Sequence, residues 1–295
     1  MTFQFMAHMA KRNLTKMKDI LVHLDDSEVC SHRIRTAISL ATKHDAHVHG
    51  IALKIKSTIS AYIGEALPKG FKEAQRKAVE ESARKAIEIF EVAANEAGIS
   101  FDTGTIEKSA AKAPGALAFH ARHSDLTILG QTDNDKEGAS FNTALMEAAL
   151  FESGRPIYLV PYVGKKIQPV KTAVVAWDGG AKAARSVNDS IPLLQDREEV
   201  IILVINAEDR QGAHGKDPGA DIAAHLAQYG INARIERETV RDIDVDKAIL
   251  NFLAESGADL LVMGAYGHSR LREKAFGGVT QNILKEMTAP VLMSN

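Results

Sequence analysis

The chain states one outline twice, and that repeat limits what it can fold into more than any single motif does. The first statement opens with Asp19-Ile-Leu-Val-His-Leu and stops at Asp25, Asp26 and Ser27. The second opens with Thr172-Ala-Val-Val-Ala-Trp and stops at Asp178, Gly179 and Gly180. A helical pattern follows each, over Glu28 to Lys43 and Ala181 to Leu194, the first capped by Asp26 or Ser27. Second strands are expected at His47–Leu53 and Val200–Asn206, and third strands at Ser100–Ile106 and Asn232–Glu238. Fourth strands end at Gly130 and Gly264. Proline introduces the last pair, Pro156–Val160 and Pro290–Met293.

Strands that alternate with helices, and that read as apolar throughout, argue for a parallel sheet covered on both faces. The expected class is therefore α/β: two tandem open α/β domains, each a mostly parallel five-stranded sheet with helices on both faces. The 295 residues suffice for two domains of ordinary size. The first is expected over 17–163 and the second over 170–295, with the boundary near Val163–Pro169 and residues 1–16 as an N-terminal extension. In such sheets a ligand crevice lies beyond the carboxyl ends of the strands. Asp25, Asp178 and the turn after Gly264 would all stand at that edge.

Composition narrows the function classes. The net charge of -2 offers no basic footprint for nucleic acid. A single cysteine, Cys30, excludes an internal disulfide and a cysteine zinc site, which fits a reducing cytoplasm. No apolar run is long enough to span a membrane, and the first sixteen residues lack the apolar core of a secretory signal. A cytoplasmic location is expected.

The motif richest in chemistry is Gly264-Ala-Tyr-Gly267, then nine residues, then Gly277-Gly278-Val279-Thr280. It follows the strand Asp259-Leu-Leu-Val-Met263 and opens a helix over Val279 to Met287. Glycines between a strand and a helix let a phosphate approach the backbone, and unpaired N–H groups at the helix start supply a positive end. Glycine also punctuates strand exits and helix entries with no ligand at all. After Gly130 the first half keeps neither the second glycine nor the later pair. It sets Asp133, Asp135 and Glu137 where phosphates would need no negative charge. A longer insertion, Lys56–Gly70, precedes its long charged helix, about Phe71 to Ala97.

With this doubled plan and glycine spacing, the chain resembles a tandem universal stress protein over nearly everything from Met17 to Asn295, a family with an adenine nucleotide α-hydrolase-like fold. The resemblance rests on Val-Val-Ala-Trp-Asp178-Gly-Gly with Ala184-Arg185, on Met263-Gly264 through Thr280, and on the closing Ala289-Pro290-Val291-Leu292. It also takes in Leu24-Asp25-Asp26-Ser27 and Ser153-Gly154-Arg155-Pro156 in the first half. It implies a stress-response protein that binds ATP or AMP, with or without Mg2+, in its C-terminal domain. Asp178 would face the ribose or base, and Ile205 would hold the adenine through its backbone. Gly264, Gly267, Gly277, Gly278 and Val279 would line the phosphates, and Thr280 could add a hydroxyl. Gly278 departs from the motif, which usually has serine or threonine there; one hydrogen bond to a charged group is worth about 1.5–3 kcal/mol. Nucleotide occupancy would act as a switch on packing between the halves, paired as an intramolecular pseudo-dimer, or between chains in a homodimer.

Other residues compete with simpler explanations. Arg270, Arg272 and Lys274 in the nine-residue loop could meet phosphate or merely solubilise it. His47 and His49 share a strand face, but no carboxylate or cysteine stands at a suggestive spacing beside them, so metal is not expected. His120 and His123, three apart on a helical pattern, are judged in the same way. Cys30, in a first helical turn, could be an activated thiol or a small half-buried one. Trp177 could stack on a base or pack as core. No base beside a magnesium-binding carboxylate pair and no P-loop lysine point to an efficient enzyme, so catalysis is expected to be at most slow ATP hydrolysis. A nucleotide-independent interaction scaffold is the third class.

Overall fold

A computed structural model describes residues 15–56, 70–136, 138–163, 171–209, 216–265 and 278–295. Among them are ten strands: β1 (Asp19–Leu24), β2 (His47–Lys56), β3 (Phe101–Ser109), β4 (Leu126–Gly130), β5 (Ile157–Val160), β6 (Thr172–Ala176), β7 (Glu199–Ile205), β8 (Ala233–Glu238), β9 (Leu260–Gly264) and β10 (Val291–Ser294). Eight α-helices alternate with them: α1 (Cys30–His44), α2 (Phe71–Ala97), α3 (Ala113–Ala121), α4 (Ala139–Glu152), α5 (Ala181–Leu194), α6 (Ala220–Ala227), α7 (Val245–Ser256) and α8 (Gly278–Glu286). None of the described helices is long and apolar enough to cross a membrane.

The chain divides into two compact units, one of residues 17–130 and 134–155, the other including 131–133 and 156–295. In the first, β2, β1 and β4 run parallel side by side, with β3 parallel to β2 at the margin. In the second, β10, β9, β6, β7 and β8 are parallel neighbours in that order. β5 pairs there too, antiparallel to β10, with Tyr158 opposite Leu292. The strands follow one hydrogen-bonded order, β3-β2-β1-β4-β5-β10-β9-β6-β7-β8. Two separate five-stranded sheets are thus replaced by a single ten-stranded one. Ile157-Tyr-Leu-Val160 is buried along its length, and a fully buried run of this kind carries no mark of its partner or direction.

Burial explains which runs become central. Ile20 to Leu24, Val200 to Val204 and Leu260 to Met263 are buried without alternation, as strands covered on both faces must be. β3 and β8 differ. Their residues are mostly half-buried or exposed, and they carry Asp102, Glu107 and Lys108, and Arg234, Glu236 and Arg237. Such charges suit strands at a sheet's margin. Over β2 lies the amphipathic α2, whose buried stripe is Ala83, Ala86, Phe90 and Ala94. Phe90 meets Phe101 of β3 edge to face, at 5.5 Å between ring centres.

The repeat is also fastened twice in the same way. Asp125 accepts the Lys18 N–H at 2.6 Å, just before β1. Asp259 accepts the Lys171 N–H at 2.5 Å, just before β6. The signal stands in the sequence as Asp125…Gly130 and Asp259…Gly264, one spacing used twice. Helix α1 corrects one expectation. It begins at Cys30 after Val29, with no side-chain cap, so neither Asp26 nor Ser27 caps it. Ser27 is engaged one turn earlier.

Candidate functional site

Asp25 and Asp178 do one job in both halves: they close the turn between a first strand and its helix. The Asp25 Oδ1 accepts the Ser27 N–H at 3.0 Å and also the Ser27 hydroxyl. The Asp178 Oδ1 accepts the Gly180 N–H at 2.8 Å. This is the local aspartate turn that favours such residues after a strand. Asp178 is half-buried, as is Trp177 before it, whose N–H donates to the Leu203 carbonyl at 2.9 Å.

Parallel pairing brings further residues to the same edge. Ile205 ends β7 and Gly264 ends β9, and both strands flank β6, which runs into Asp178. A β-carbon on Gly264 would stand 2.6 Å from the Ala183 N and 2.7 Å from the Lys182 carbonyl carbon. Only glycine lets the start of α5 close onto the end of β9. Ser186, buried in α5, holds this approach. Its Oγ donates to the Met263 carbonyl at 2.7 Å and accepts the Ser294 N–H at 3.0 Å. The Ser294 hydroxyl continues to Asp189 at 2.7 Å.

Gly278, Val279 and Thr280 form the first turn of α8. Gly278 and Val279 are exposed and Thr280 is buried. A β-carbon on Gly278 would meet no described atom within 4 Å. Gly267, Gly277, Arg270, Arg272 and Lys274 lie outside the described residues.

At the matching strand end of the first half, a side chain rather than helix backbone meets the glycine. Arg33 and Ser186 each stand eight residues beyond the turn aspartate, at Asp25 and Asp178. The Arg33 Nε donates to the His23 carbonyl at 2.9 Å, and its Nη2 makes an ion pair with Asp25 at 2.6 Å. A β-carbon on Gly130 would lie 2.6 Å from the Arg33 Nη1. Burial, the largest single influence, opposes ionisation of Asp25, but Arg33, His23 and the two Ser27 hydrogen bonds together outweigh it, and the carboxyl sits below its ordinary range. Burial first, and Arg33 second, lower the His23 pKa to about 4, so the imidazole is neutral. Cys30 is buried, its Sγ 3.4 Å from the Asp25 N, and burial raises its pKa, opposite to what an activated thiol needs. Sequence inspection missed the Arg33 lock, although the equal offset of Arg33 and Ser186 is written in the repeat.

Residues 169–295 match the universal stress protein family. A universal stress protein of Synechocystis sp., Slr1230, is 26% identical over 178 residues, covering 57% of each chain. A second, MJ0577 of Methanocaldococcus jannaschii, is 34% identical over 58 residues, 18% of this chain and 36% of that one. The chain thus spans about half or less of the curated relatives it matches. A crystal structure of a universal stress protein from Archaeoglobus fulgidus shares the fold, with TM-score 0.72 at 14% identity over 95% of this chain and 97% of that one.

Proposed function

We propose, for a chain that belongs through residues 169–295 to the universal stress protein family, that its second unit binds an adenine nucleotide beyond the carboxyl ends of β6, β7 and β9. The observation that carries this reading is the convergence of Asp178, Ile205 and Gly264 on one edge, from three adjacent parallel strands. The crevice of an open α/β sheet lies at that edge. In this reading Asp178 and the Ile205 backbone address the adenosine. Gly264, Gly267, Gly277, Gly278 and Val279 face the phosphates, with the Thr280 hydroxyl in support. ATP or AMP is the ligand, with Mg2+ where the phosphate count requires it. Occupancy acts as a signal in a stress response rather than as the first step of fast turnover. In the first unit the glycine motif after Gly130 is absent and Asp133, Asp135 and Glu137 stand in its place, so nucleotide is not expected there.

Native mass spectrometry of the protein as purified, followed by ATP and AMP titration, tests this. One adenine nucleotide per chain, lost in Asp178→Ala and Gly277→Val, is the expected result. Failure to bind at millimolar nucleotide removes it.

One observation favours a second reading. Asp178 and Gly264 already have structural work, in the turn before α5 and in its packing. A nucleotide-independent interaction scaffold would keep both for that reason alone. Slow ATP hydrolysis is compatible with the first reading. Site-dependent turnover at or above about 1 per second, an ordinary enzyme rate, would replace it with a catalytic one.

A further inference from the structure

The sequence around His47 and His49 singles out no carboxylate as their partner, but the sheet supplies two. β1, β2 and β3 pair in parallel with His47 opposite Asp19 and His49 opposite Asp102. The His49 Nδ1 lies 2.7 Å from the Asp102 Oδ1, and the His47 Nε2 lies 3.5 Å from Oδ2 of the same carboxylate. The two imidazoles meet edge to face, 4.7 Å between centres. One ligand atom from each of His47, His49 and Asp102 falls within 4.8 Å of the others. Among the described residues this is the one such group.

Two neighbours are arranged as outer partners of a metal site would be. The Ser100 Oγ lies 2.7 Å from the His47 Nδ1, which fixes that ring and directs its Nε2 toward Asp102. The Asp19 Oδ1 lies 3.7 Å from the His49 Nε2, just outside hydrogen-bond distance, where a small rotation lets it accept that N–H while Nδ1 serves as ligand. A hydrogen bond from each ligating imidazole to a hydroxyl or carboxylate is the usual second layer around a bound cation.

We propose that the His47 Nε2, the His49 Nδ1 and the Asp102 carboxylate bind one divalent transition-metal cation of the zinc class at the start of β2 and β3. Tetrahedral zinc, with bonds of about 2.0–2.2 Å, sets its ligand atoms roughly 3.4 Å apart. The two histidine–carboxylate separations, 2.7 and 3.5 Å, bracket that spacing, and the whole group lies within 4.8 Å. His47, His49 and Asp102 are half-buried or exposed, so side-chain rotation alone closes the difference. Water would take the fourth position. Imidazole and carboxylate together select zinc or its neighbours over Mg2+ and Ca2+, which favour oxygen alone.

The ordinary alternative is a surface cluster of hydrogen bonds and ion pairs with no ligand. Zinc titration of the untagged full chain by calorimetry, with Mg2+ and Ca2+ in excess, separates the two. One zinc per chain is expected, with binding weakened at least about tenfold in His47→Gln, His49→Gln and Asp102→Asn, and about tenfold in Asp19→Asn through the outer layer. Binding that is absent, or that all four variants leave unchanged, overturns the proposal. Should a variant fold poorly, anomalous diffraction at the zinc edge from the unaltered protein decides instead. A peak among His47, His49 and Asp102 supports the site, and a peak only elsewhere removes it.

Discussion

Arg33 lies so close to Gly130 that its Nη1 would stand 2.6 Å from any β-carbon placed there. Its other two nitrogens hold the His23 carbonyl and Asp25. The end of β4 is therefore sealed by a guanidinium tied to the turn before α1. At the end of β9 the equivalent helix residue is Ser186, which binds backbone and leaves the glycine facing α5 itself.

This contrast predicts unequal effects of one substitution made twice. Gly264→Ala drives a methyl into the Lys182–Ala183 backbone, which has little room to yield. Gly130→Ala meets the tip of an arginine, which can shift. Overpacking of this kind costs about 1–3 kcal/mol. Gly264→Ala is expected at or above the upper end and Gly130→Ala at the lower end in urea unfolding. The reverse order would contradict the packing described.

His23 makes stability depend on pH. Its pKa is about 4 in the folded protein against an ordinary 6.5, so the unfolded chain takes up a proton that the folded one refuses. Its contribution is complete above 6.5 and is lost as pH falls toward 4. The full loss is about 3 kcal/mol. Asp25, whose pKa is also lowered, adds to the loss in the same direction at still lower pH. Urea midpoints should change little between pH 7.5 and 6.5 and fall from there to 4.5, and His23→Gln should flatten that fall. An equal slope in the variant would rule out His23 as its source.

Arg197 and Asp259 form the most deeply buried arginine pair among the described residues of the second unit. The Arg197 side chain is 2% exposed and lies 3.3 Å from the Asp259 Oδ1. Burial pushes the arginine down and the aspartate up, so the pair repays little of its desolvation. Removing one partner is a different matter. Asp259→Ala takes the ion-pair partner from a buried guanidinium that keeps its bond to the Leu193 carbonyl, and it frees the Lys171 N–H, at a cost of about 3 kcal/mol. Thermal unfolding of Asp259→Ala beside Arg197→Met should show the first variant to be the weaker. Equal losses would mean the charge is better solvated than its burial suggests.

Gly278 offers a gain instead of a loss. No described atom lies within 4 Å of its missing β-carbon, so Gly278→Ser should fold normally. If the second unit holds nucleotide phosphates there, the added hydroxyl contributes a hydrogen bond to a charged group. That should raise affinity about tenfold, for a bond worth about 1.5 kcal/mol. Calorimetric titration with ATP of the two proteins reads this directly. A fall in affinity would place the hydroxyl away from the ligand.

The sequence by itself determined the strands and helices in their order, because a covered parallel strand and an amphipathic helix each impose a hydrophobic pattern on the residues that make them. It determined the two turn aspartates, Asp25 and Asp178, and the two strand-end glycines, Gly130 and Gly264, because each answers to its immediate neighbours. The tertiary structure alone decided three matters. β5 joins β10 antiparallel, since Ile157-Tyr-Leu-Val160 encodes burial and not direction. Arg33 comes to lie against Gly130, across nearly a hundred residues of chain, because the first helix packs against the fourth strand. And Asp102 meets His49 through strand register, which sets side chains together at separations that no local pattern records.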